Sequence, residues 1–313
     1  MAEELQPQTS SSVRSGAETG EHADGLSAFV GARPRLFGIA YRMLGSAAEA
    51  EDIVQDVWLR WQATDRGVVE NPAAFLATTT TRLCINFAQS AQSRRETYVG
   101  PWLPEPVDTS SDPALGAERG EALGFAILLL LEKLSPTERA AYVLREAFDY
   151  SYRQIADILQ MEEANTRQLV SRARKHIADG RRTPASSVEQ RRLLEAFIGA
   201  AQKGDLAKLE GLFAEDGVSY SDGGGVVRTA ARAPVSGRSL VARFVATFAS
   251  HFWTGITVRW IETNGQGSVL LSRDGVAVAF ATIDASAQGI DQIMWILRPS
   301  KLAAISTPRQ KTG

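Results

Sequence analysis

Helix-start signals dominate the chain up to residue 180. Three of them pair a serine with a glutamate or glutamine three residues later, which is the spacing of a capping box. They are Ser46 with Glu49, Ser135 with Glu138, and Ser151 with Gln154. Asn71-Pro72 adds an N-cap followed by a first-turn proline, and Gly180 is a natural stop. We therefore predict that this part of the chain folds into helices without strands.

A change of pattern after residue 186 predicts a domain of another class. We expect an amphipathic helix over 188–204, a glycine turn at 221–225 and a later helix over 234–249. Further runs rich in Val, Ile, Thr and aromatic residues predict strands at 255–263, 268–274, 276–284 and 290–298. The predicted fold class is therefore multidomain, with two all-α domains followed by an α+β domain.

Segments without hydrophobic periodicity separate these units. The proline-rich stretch at 96–118 is typical of a linker and divides the helical part in two. The polar start of the chain buries too little apolar surface to order itself. The predicted units are a disordered tail at 1–25, helical domains at 26–95 and 119–182, the linker at 96–118, an α+β domain at 186–302 and a tail at 303–313.

The composition restricts the class of protein. The chain has 34 Lys and Arg against 36 Asp and Glu, so any surface that binds nucleic acid must be local. Cys84 is the single cysteine, which excludes an internal disulfide and is typical of a core residue in a reducing cytosol. The sequence has no signal peptide pattern and no apolar run of bilayer length. We expect a cytoplasmic protein without membrane contact.

One predicted helix pair concentrates positive charge. Over residues 151–177, apolar side chains at helical spacing form a shared core for two short helices. The other face of the second helix carries side chains that donate to phosphates and base edges. They are Arg167, Gln168, Ser171, Arg172, Arg174 and Lys175. This pattern predicts a DNA-binding helix-turn-helix, and the alternative is a helical hairpin with a solvated basic face.

Residues 135–177 resemble region 4 of RNA polymerase sigma factors. The segment RQLVSRAR, from Arg167 to Arg174, is similar to that of extracytoplasmic-function (ECF) sigma factors. The resemblance implies that the helix-turn-helix reads the promoter −35 element through the basic face, with Lys175 contacting only the DNA backbone. A helix-turn-helix alone leaves a polymerase-independent DNA-binding regulator as the alternative.

Residues 50–62 favour a sigma factor over that alternative. Asp52, Gln55, Asp56 and Leu59 fall on one helical face. An acidic face of this kind suits a basic protein surface rather than DNA. The segment resembles sigma region 2, which implies docking on the coiled coil of the β′ subunit of core RNA polymerase, with the β subunit as a second contact. A solvated acidic face is the alternative interpretation.

The helix that follows this acidic segment carries positive charge on its exposed side. Its exposed polar side chains are predicted to be Arg82, Asn86, Gln89, Arg94 and Arg95. Cations supply attraction to DNA that is independent of sequence, while Asn and Gln can hydrogen-bond an exposed base edge. In sigma factors the corresponding helix and loop engage the −10 element, so the resemblance implies that role here.

The last domain resembles the SnoaL-like, NTF2-like fold, a cone of helix and curved sheet with an internal cavity. WLPEP in the linker and DGGG after residue 221 resemble the signature of ECF sigma factors with this extension, whereas RPSKL at 298–302 departs from their NPDKL pattern. We predict that the turn packs on the linker and regulates the protein in cis. The predicted interdomain residues are Trp102, Leu103, Pro104, Glu105, Pro106, Asp222, Gly223, Gly224, Gly225, Lys301 and Leu302.

An enzymatic cone is the competing hypothesis. Cyclases and isomerases of this fold use an Asp or His base in an apolar pocket. The candidates are Asp222, His251, Asp284 and Asp291. No paired acid/base spacing, metal-ligand cluster or cofactor motif accompanies them. We therefore predict a transcription initiation factor that is not an enzyme and needs no cofactor or metal. The alternative is a cyclase or isomerase. The sequence leaves open whether the cavity binds a small ligand.

Overall fold

The computed structural model describes residues 14–109, 124–180 and 182–306, with backbone alone at 14–24, 91–96 and 304. The first helical domain contains α1 (Arg14–Leu44), α2 (Ala47–Ala63), a 3-10 turn (Arg66–Val68) and α3 (Pro72–Glu96). The second contains α4 (Phe125–Leu131), α5 (Pro136–Glu146), α6 (Tyr152–Leu159) and α7 (Glu163–Asp179). No helix within the described ranges is long and apolar enough to cross a bilayer.

The predicted helix starts are confirmed. Both capping boxes of the second helical domain form in full, at Ser135 with α5 and at Ser151 with α6. In the first domain, Ser46 accepts a hydrogen bond from the backbone of Glu49 at the start of α2. These bonds satisfy backbone donors that have no partner inside the helix, which is why the starts are readable from sequence.

Helix α1 begins earlier than the sequence predicts. Residues 1–25 are predicted to be a disordered tail, but α1 starts at Arg14, while residues 1–13 lie outside the described residues. The indole Nε1 of Trp61 donates to the carbonyl of Gly25 at 2.8 Å and fixes the helix at that point. Helix extension is cooperative once a turn is formed, so the packed part of α1 supports the turns before it.

The C-terminal domain is a six-stranded sheet covered by helices. Its helices are α8 (Ser187–Lys203), α9 (Leu206–Leu212), α10 (Arg238–Thr247) and α11 (Pro299–Ser306). Its strands are β1 (Phe213–Asp222), β2 (Val235–Ser236), β3 (Ile256–Thr263), β4 (Gln266–Arg273), β5 (Val276–Ser286) and β6 (Gly289–Ile296), in the order β2-β1-β6-β5-β4-β3. The four predicted strands are confirmed as β3 to β6. Each of them pairs antiparallel with the next one along the chain.

The sequence prediction missed β1 and β2. Strand β1 pairs parallel with β6 and shifts register between Phe213 and Val218. Glu215 and Asp216 are exposed within this irregular part of the strand. The local run of polar residues therefore hides a strand whose second half, ending at Asp222, is largely buried.

The sheet is apolar on both faces. One face packs on α8 and α10 through residues such as Val269, Leu271 and Trp295. The alternate residues of the same strands, including Leu270 and Phe280, form a second core. Residues from outside the sheet complete this second core; they are Leu103 of the linker, Phe125 of α4, and Leu302 and Ile305 of α11. The linker and the second helical domain thus cover a face of the sheet that would otherwise expose apolar surface to water.

Candidate functional site

The acidic face predicted on α2 lies at the protein surface. Asp52, Gln55, Asp56 and Leu59 are all exposed. Leu59 has 61% of its surface exposed, although α2 packs Ile53, Val57 and Trp61 into the core from the opposite side. An exposed face that carries two carboxylates and a leucine suits a basic protein surface better than it suits DNA.

On α3, Arg82, Asn86 and Gln89 are exposed and lie about one turn apart. Arg82 already has a partner: its guanidinium donates to the carbonyl of Ile158 at 3.0 Å, at the end of α6. It also reaches the carbonyl of Asp157 at 3.5 Å. The backbone of Arg94 and Arg95 belongs to α3, and their side chains lie outside the described residues. The arrangement therefore ties the first helical domain to the helix-turn-helix.

The basic face of α7 is exposed, and three of its arginines are ion-paired. The exposed residues are Arg167, Gln168, Ser171, Arg172, Arg174 and Lys175. Arg167 pairs with Glu163, Arg172 with Glu138 at 3.3 Å, and Arg174 with Glu146 at 2.7 Å. These pairs are solvent-exposed and individually weak, so a phosphate or base edge can displace the carboxylates at small cost.

The linker is bound on one side by a buried ion pair in the C-terminal domain. The carboxylate of Asp222, at the end of β1, accepts hydrogen bonds from the backbone of Leu103 at 2.9 Å and from the ammonium of Lys301 at 2.8 Å. The hydroxyl of Tyr98 donates to the other oxygen at 2.6 Å. Lys301, on α11, also donates to the carbonyl of Leu103. The linker backbone therefore completes the hydrogen bonding of both charges.

Burial shapes the electrostatics of this pair. The side chain of Asp222 is fully buried, and that of Lys301 is 4% exposed. Burial lowers the pKa of Lys301, and the neighbouring Asp222 opposes that change. Burial and the hydrogen bond to Asp222 raise the pKa of Tyr98 to about 12, so its hydroxyl stays protonated and donates at neutral pH. The ammonium also lies 4.3 Å from the ring centre of Trp102, which adds a cation–π contact.

The other side of the linker is bound by the first helical domain. The carboxylate of Glu105 accepts from the backbone of Ala47 at 2.8 Å, close to the start of α2. The backbone nitrogen of Glu105 donates to the carbonyl of Gly45 at 2.8 Å, and Tyr41 donates to the Glu105 carbonyl at 2.5 Å. A carboxylate at a helix start complements the partial positive charge there. Pro104 and Pro106, on either side, are buried.

Asn264 joins the linker, the first helical domain and the sheet. It lies in the turn between β3 and β4, and its amide donates to the hydroxyl of Tyr41 at 2.7 Å. Its side-chain oxygen accepts from the backbone of Val107 at 3.0 Å, and its own backbone donates to the Val107 carbonyl at 3.0 Å. Thr109 accepts from the backbone of Gly265 at 3.0 Å. The linker is therefore held by side chains from both neighbours at once.

Two glycines allow the close approach of the linker. Gly45 has φ of +67°, and a Cβ there would lie 2.7 Å from the Trp102 ring. Gly225 of the DGGG turn has φ of +75°, and a Cβ there would lie 3.0 Å from the Cβ of Val99. The turn thus lies against Val99 and Tyr98, while Asp222 reaches Leu103. Arg298, at the position where the sequence departs from NPDKL, donates to the Tyr98 hydroxyl at 3.2 Å.

Sequence reasoning missed five side chains of this site: Tyr41, Tyr98, Thr109, Asn264 and Arg298. Each contacts a residue far away in the sequence, so no local pattern marks it. The Asn264-Gly265 dipeptide by itself predicts only a turn between two strands. Its left-handed conformation, with φ of +54° at Asn264, explains the choice of asparagine, which tolerates that region better than most side chains.

The candidate catalytic side chains do not converge. The apolar cavity of the C-terminal domain is lined by residues such as Phe244, Phe252 and Trp295, and none of the four candidates is among them. Its volume of about 60 Å³ is less than half of the roughly 150 Å³ of an engineered cavity that binds benzene. The described residues contain no group of three side chains that could hold a metal ion.

Each of the four candidates has its own surroundings. Asp222 is hydrogen-bonded to the linker, and Asp291 forms an ion pair with Arg182, just before the first helix of the C-terminal domain. His251 is exposed beside Ser250, and Asp284 is buried in β5.

Comparisons with known proteins agree with this arrangement. Residues 29–94 match the family described as Sigma-70 region 2, and residues 124–177 match Sigma-70, region 4. The chain is 38% identical over 240 residues to the ECF RNA polymerase sigma factor SigJ of Mycobacterium tuberculosis, covering 74% of this chain and 75% of that protein. It is 35% identical over 181 residues to the probable ECF RNA polymerase sigma factor SigI of the same species, covering 56% and 62%.

The likeness extends to the three-dimensional fold. The crystal structure of the M. tuberculosis extracytoplasmic function sigma factor SigJ superposes with a TM-score of 0.72 at 30% identity, covering 91% of this chain and 100% of that one. The superposition therefore includes the C-terminal α+β domain as well as the two helical domains. Both sigma regions and the extension are accounted for, and the chain belongs to the extracytoplasmic-function (ECF) RNA polymerase sigma factors.

Proposed function

We propose that this structure is the closed form of a sigma factor that regulates itself in cis. The observation that supports this proposal concerns the linker, residues 98–109. It is hydrogen-bonded to the first helical domain on one side and to the C-terminal domain on the other. While these contacts persist, the linker cannot extend, and the two DNA-binding domains stay packed together. Core RNA polymerase opens this form only to the extent that it binds the open form more tightly.

In this proposal the acidic face of α2 binds the β′ subunit of core RNA polymerase in the cytoplasm. We expect Leu59→Ala to weaken core binding about tenfold, because a central apolar side chain of an interface contributes about 1–2 kcal/mol. Val68→Ala is the matched control, since Val68 is 75% exposed in the 3-10 turn beside α2. Titration of labelled core polymerase measures both; equal weakening by the two variants would show that the α2 face is not the contact.

The basic face of α7 is proposed to bind the −35 element, and α3 the −10 element. We expect Arg174→Ala to lower transcription from the cognate promoter about tenfold, because one arginine contact to a base or phosphate contributes about 1–3 kcal/mol. Arg192→Ala on α8 is the control, since Arg192 is also exposed and ion-paired. Run-off transcription with holoenzyme compares them, and an Arg174 variant as active as the control would remove Arg174 from the DNA contact.

Arg82 connects promoter binding to closure. Its guanidinium binds the carbonyl end of α6 in the closed form, while its proposed role requires the same donors to face DNA of the −10 element. In the closed form Nε and Nη2 point at the carbonyls of α6, so directing these two donors at DNA requires the contact with α6 to break. Binding of the −10 element is therefore expected to release the helix-turn-helix from the first helical domain.

Truncation tests the proposed regulation in cis. A chain ending after residue 183 lacks Asp222, Asn264 and Lys301, and it is expected to give more promoter-specific transcription with purified core polymerase than the full-length chain. Trp102→Ala in the full-length chain is expected to act in the same direction, because it removes the contacts with Gly45 and Lys301. Unchanged activity in both would reject control in cis, whereas loss of promoter selectivity in both chains would reject sigma function itself.

A further inference from the structure

A second cavity lies where the linker meets the loop after β1. Its volume is about 220 Å³, and it is lined by Val99 of the linker, Gly223 and Gly225 of the DGGG turn, and Arg228 and Arg232 of the following loop. It shares no lining residue with the apolar cavity of the same domain. The cavity therefore lies between the linker and the DGGG turn, the two segments whose contact defines the closed form.

The charge at this cavity is unbalanced. Neither Arg228 nor Arg232 has a hydrogen bond or ion pair to any residue of the described ranges. Residues 223–261 contain five arginines and no aspartate or glutamate. Asp222, just before this stretch, is buried and already binds Lys301. Two guanidinium groups that have no carboxylate partner in the described part of the chain produce a local positive potential beside this polar cavity, and that potential attracts an anion.

Guanidinium geometry and cavity size define the anion. The planar fork of arginine matches the oxygens of a phosphate group and binds them in bidentate fashion. A volume of about 220 Å³ lies below the roughly 300–1,000 Å³ of pockets for drug-sized ligands, so the space suits one or two phosphate groups. We propose that this cavity binds a small phosphate-bearing anion between the linker and the loop of residues 223–232.

Such an anion would stabilise the closed form. The loop and the linker are already in close contact here, since a Cβ added at Gly225 would lie 3.0 Å from the Cβ of Val99. An anion that contacts both segments binds the closed form more tightly than a form in which they have separated, so it shifts the population toward closure. This consequence rests on the proposed control in cis, whereas binding itself does not.

Calorimetric titration of the full-length chain with pyrophosphate, at constant ionic strength set with sodium chloride, tests the site. We expect saturable binding of one pyrophosphate per chain. Arg228→Gln and Arg232→Gln are each expected to weaken it about tenfold, because hydrogen bonds to a charged group contribute enough for that change. Arg243→Gln is the control, since Arg243 is an exposed arginine of α10 that does not line the cavity. Unchanged melting temperatures verify that the variants fold.

Three results would overturn the site. The first is no saturable binding of pyrophosphate to the wild-type chain. The second is equal weakening by Arg243→Gln, which would indicate general attraction between charges. The third is a loss of affinity for a short DNA duplex in the Arg228 and Arg232 variants with pyrophosphate binding unchanged, which would assign these arginines to nucleic acid. The titration contains no polymerase or promoter, so its failure leaves the proposed function standing, and failure of the truncation test leaves the site standing.

Discussion

Asn264→Gly is expected to raise promoter-specific transcription by the full-length chain about five- to tenfold when core polymerase is limiting. Asn264 has φ of +54°, a conformation that glycine adopts without strain. The substitution therefore keeps the backbone conformation and removes the side-chain bonds to Tyr41 and Val107. Two such bonds contribute about 1–3 kcal/mol together. The closed form loses that free energy, and a larger fraction of the chain becomes competent to bind polymerase.

Asp274→Gly provides the matched control for this experiment. Asp274 has φ of +51° in the exposed turn between β4 and β5, so it shares the backbone conformation of Asn264 but lies outside the linker contacts. Run-off transcription with purified core polymerase should place this control at the wild-type level. If Asn264→Gly gives no more transcript than the control, the linker contact does not limit activity.

Asp222→Ala is expected to destabilise the C-terminal domain by about 3–5 kcal/mol, the usual cost of removing one partner of a buried ion pair. Lys301 would keep a buried charge without its carboxylate, and the backbone nitrogen of Leu103 would lose its acceptor. The effect should appear as faster amide hydrogen exchange in β6, the parallel neighbour of β1, and in the linker around Leu103.

Asp216→Ala measures what an exposed ion pair contributes in the same domain. Asp216 also lies on β1 and pairs with Arg182, but 68% of its side chain is exposed, so about 0–1 kcal/mol is expected. Similar exchange rates in the two variants would contradict the central place of the Asp222–Lys301 pair. Asp222→Asn should fall between them, because the amide keeps an acceptor for Leu103 and loses the charge.

Local signals explain which parts of the fold the sequence predicts. The capping serines of α5 and α6 act within three residues, and the strands β3 to β6 are continuous runs of β-forming residues, so both are readable without tertiary information. Strand β1 cannot be recognised from the local sequence, because Glu215 and Asp216 interrupt its apolar pattern and its pairing depends on β6. The start of α1 depends in the same way on Trp61, which is distant in sequence.

The same distinction between local and long-range signals applies to the candidate surfaces. Helical spacing places Asp56 and Leu59 together on α2, and Arg172 with its neighbours on α7, because each face lies on one helix. The contacts that hold the linker join residues far apart in the sequence. Tyr41 and Asn264 are 223 positions apart, and Tyr98 and Asp222 are 124 positions apart. The linker motif and the DGGG turn indicate that two segments meet, and only the fold shows that the ion pair with Lys301 fixes the linker backbone.

The most direct test measures the distance between the first helical domain and the C-terminal domain. Val68 and Val276 are exposed on these two domains, and Cys84 is buried, so cysteines introduced at the two valines accept spin labels selectively. We predict one narrow distance distribution in the free chain and a shift to longer distances when core polymerase is added. An unchanged distribution in transcriptionally active holoenzyme would contradict opening of the closed form.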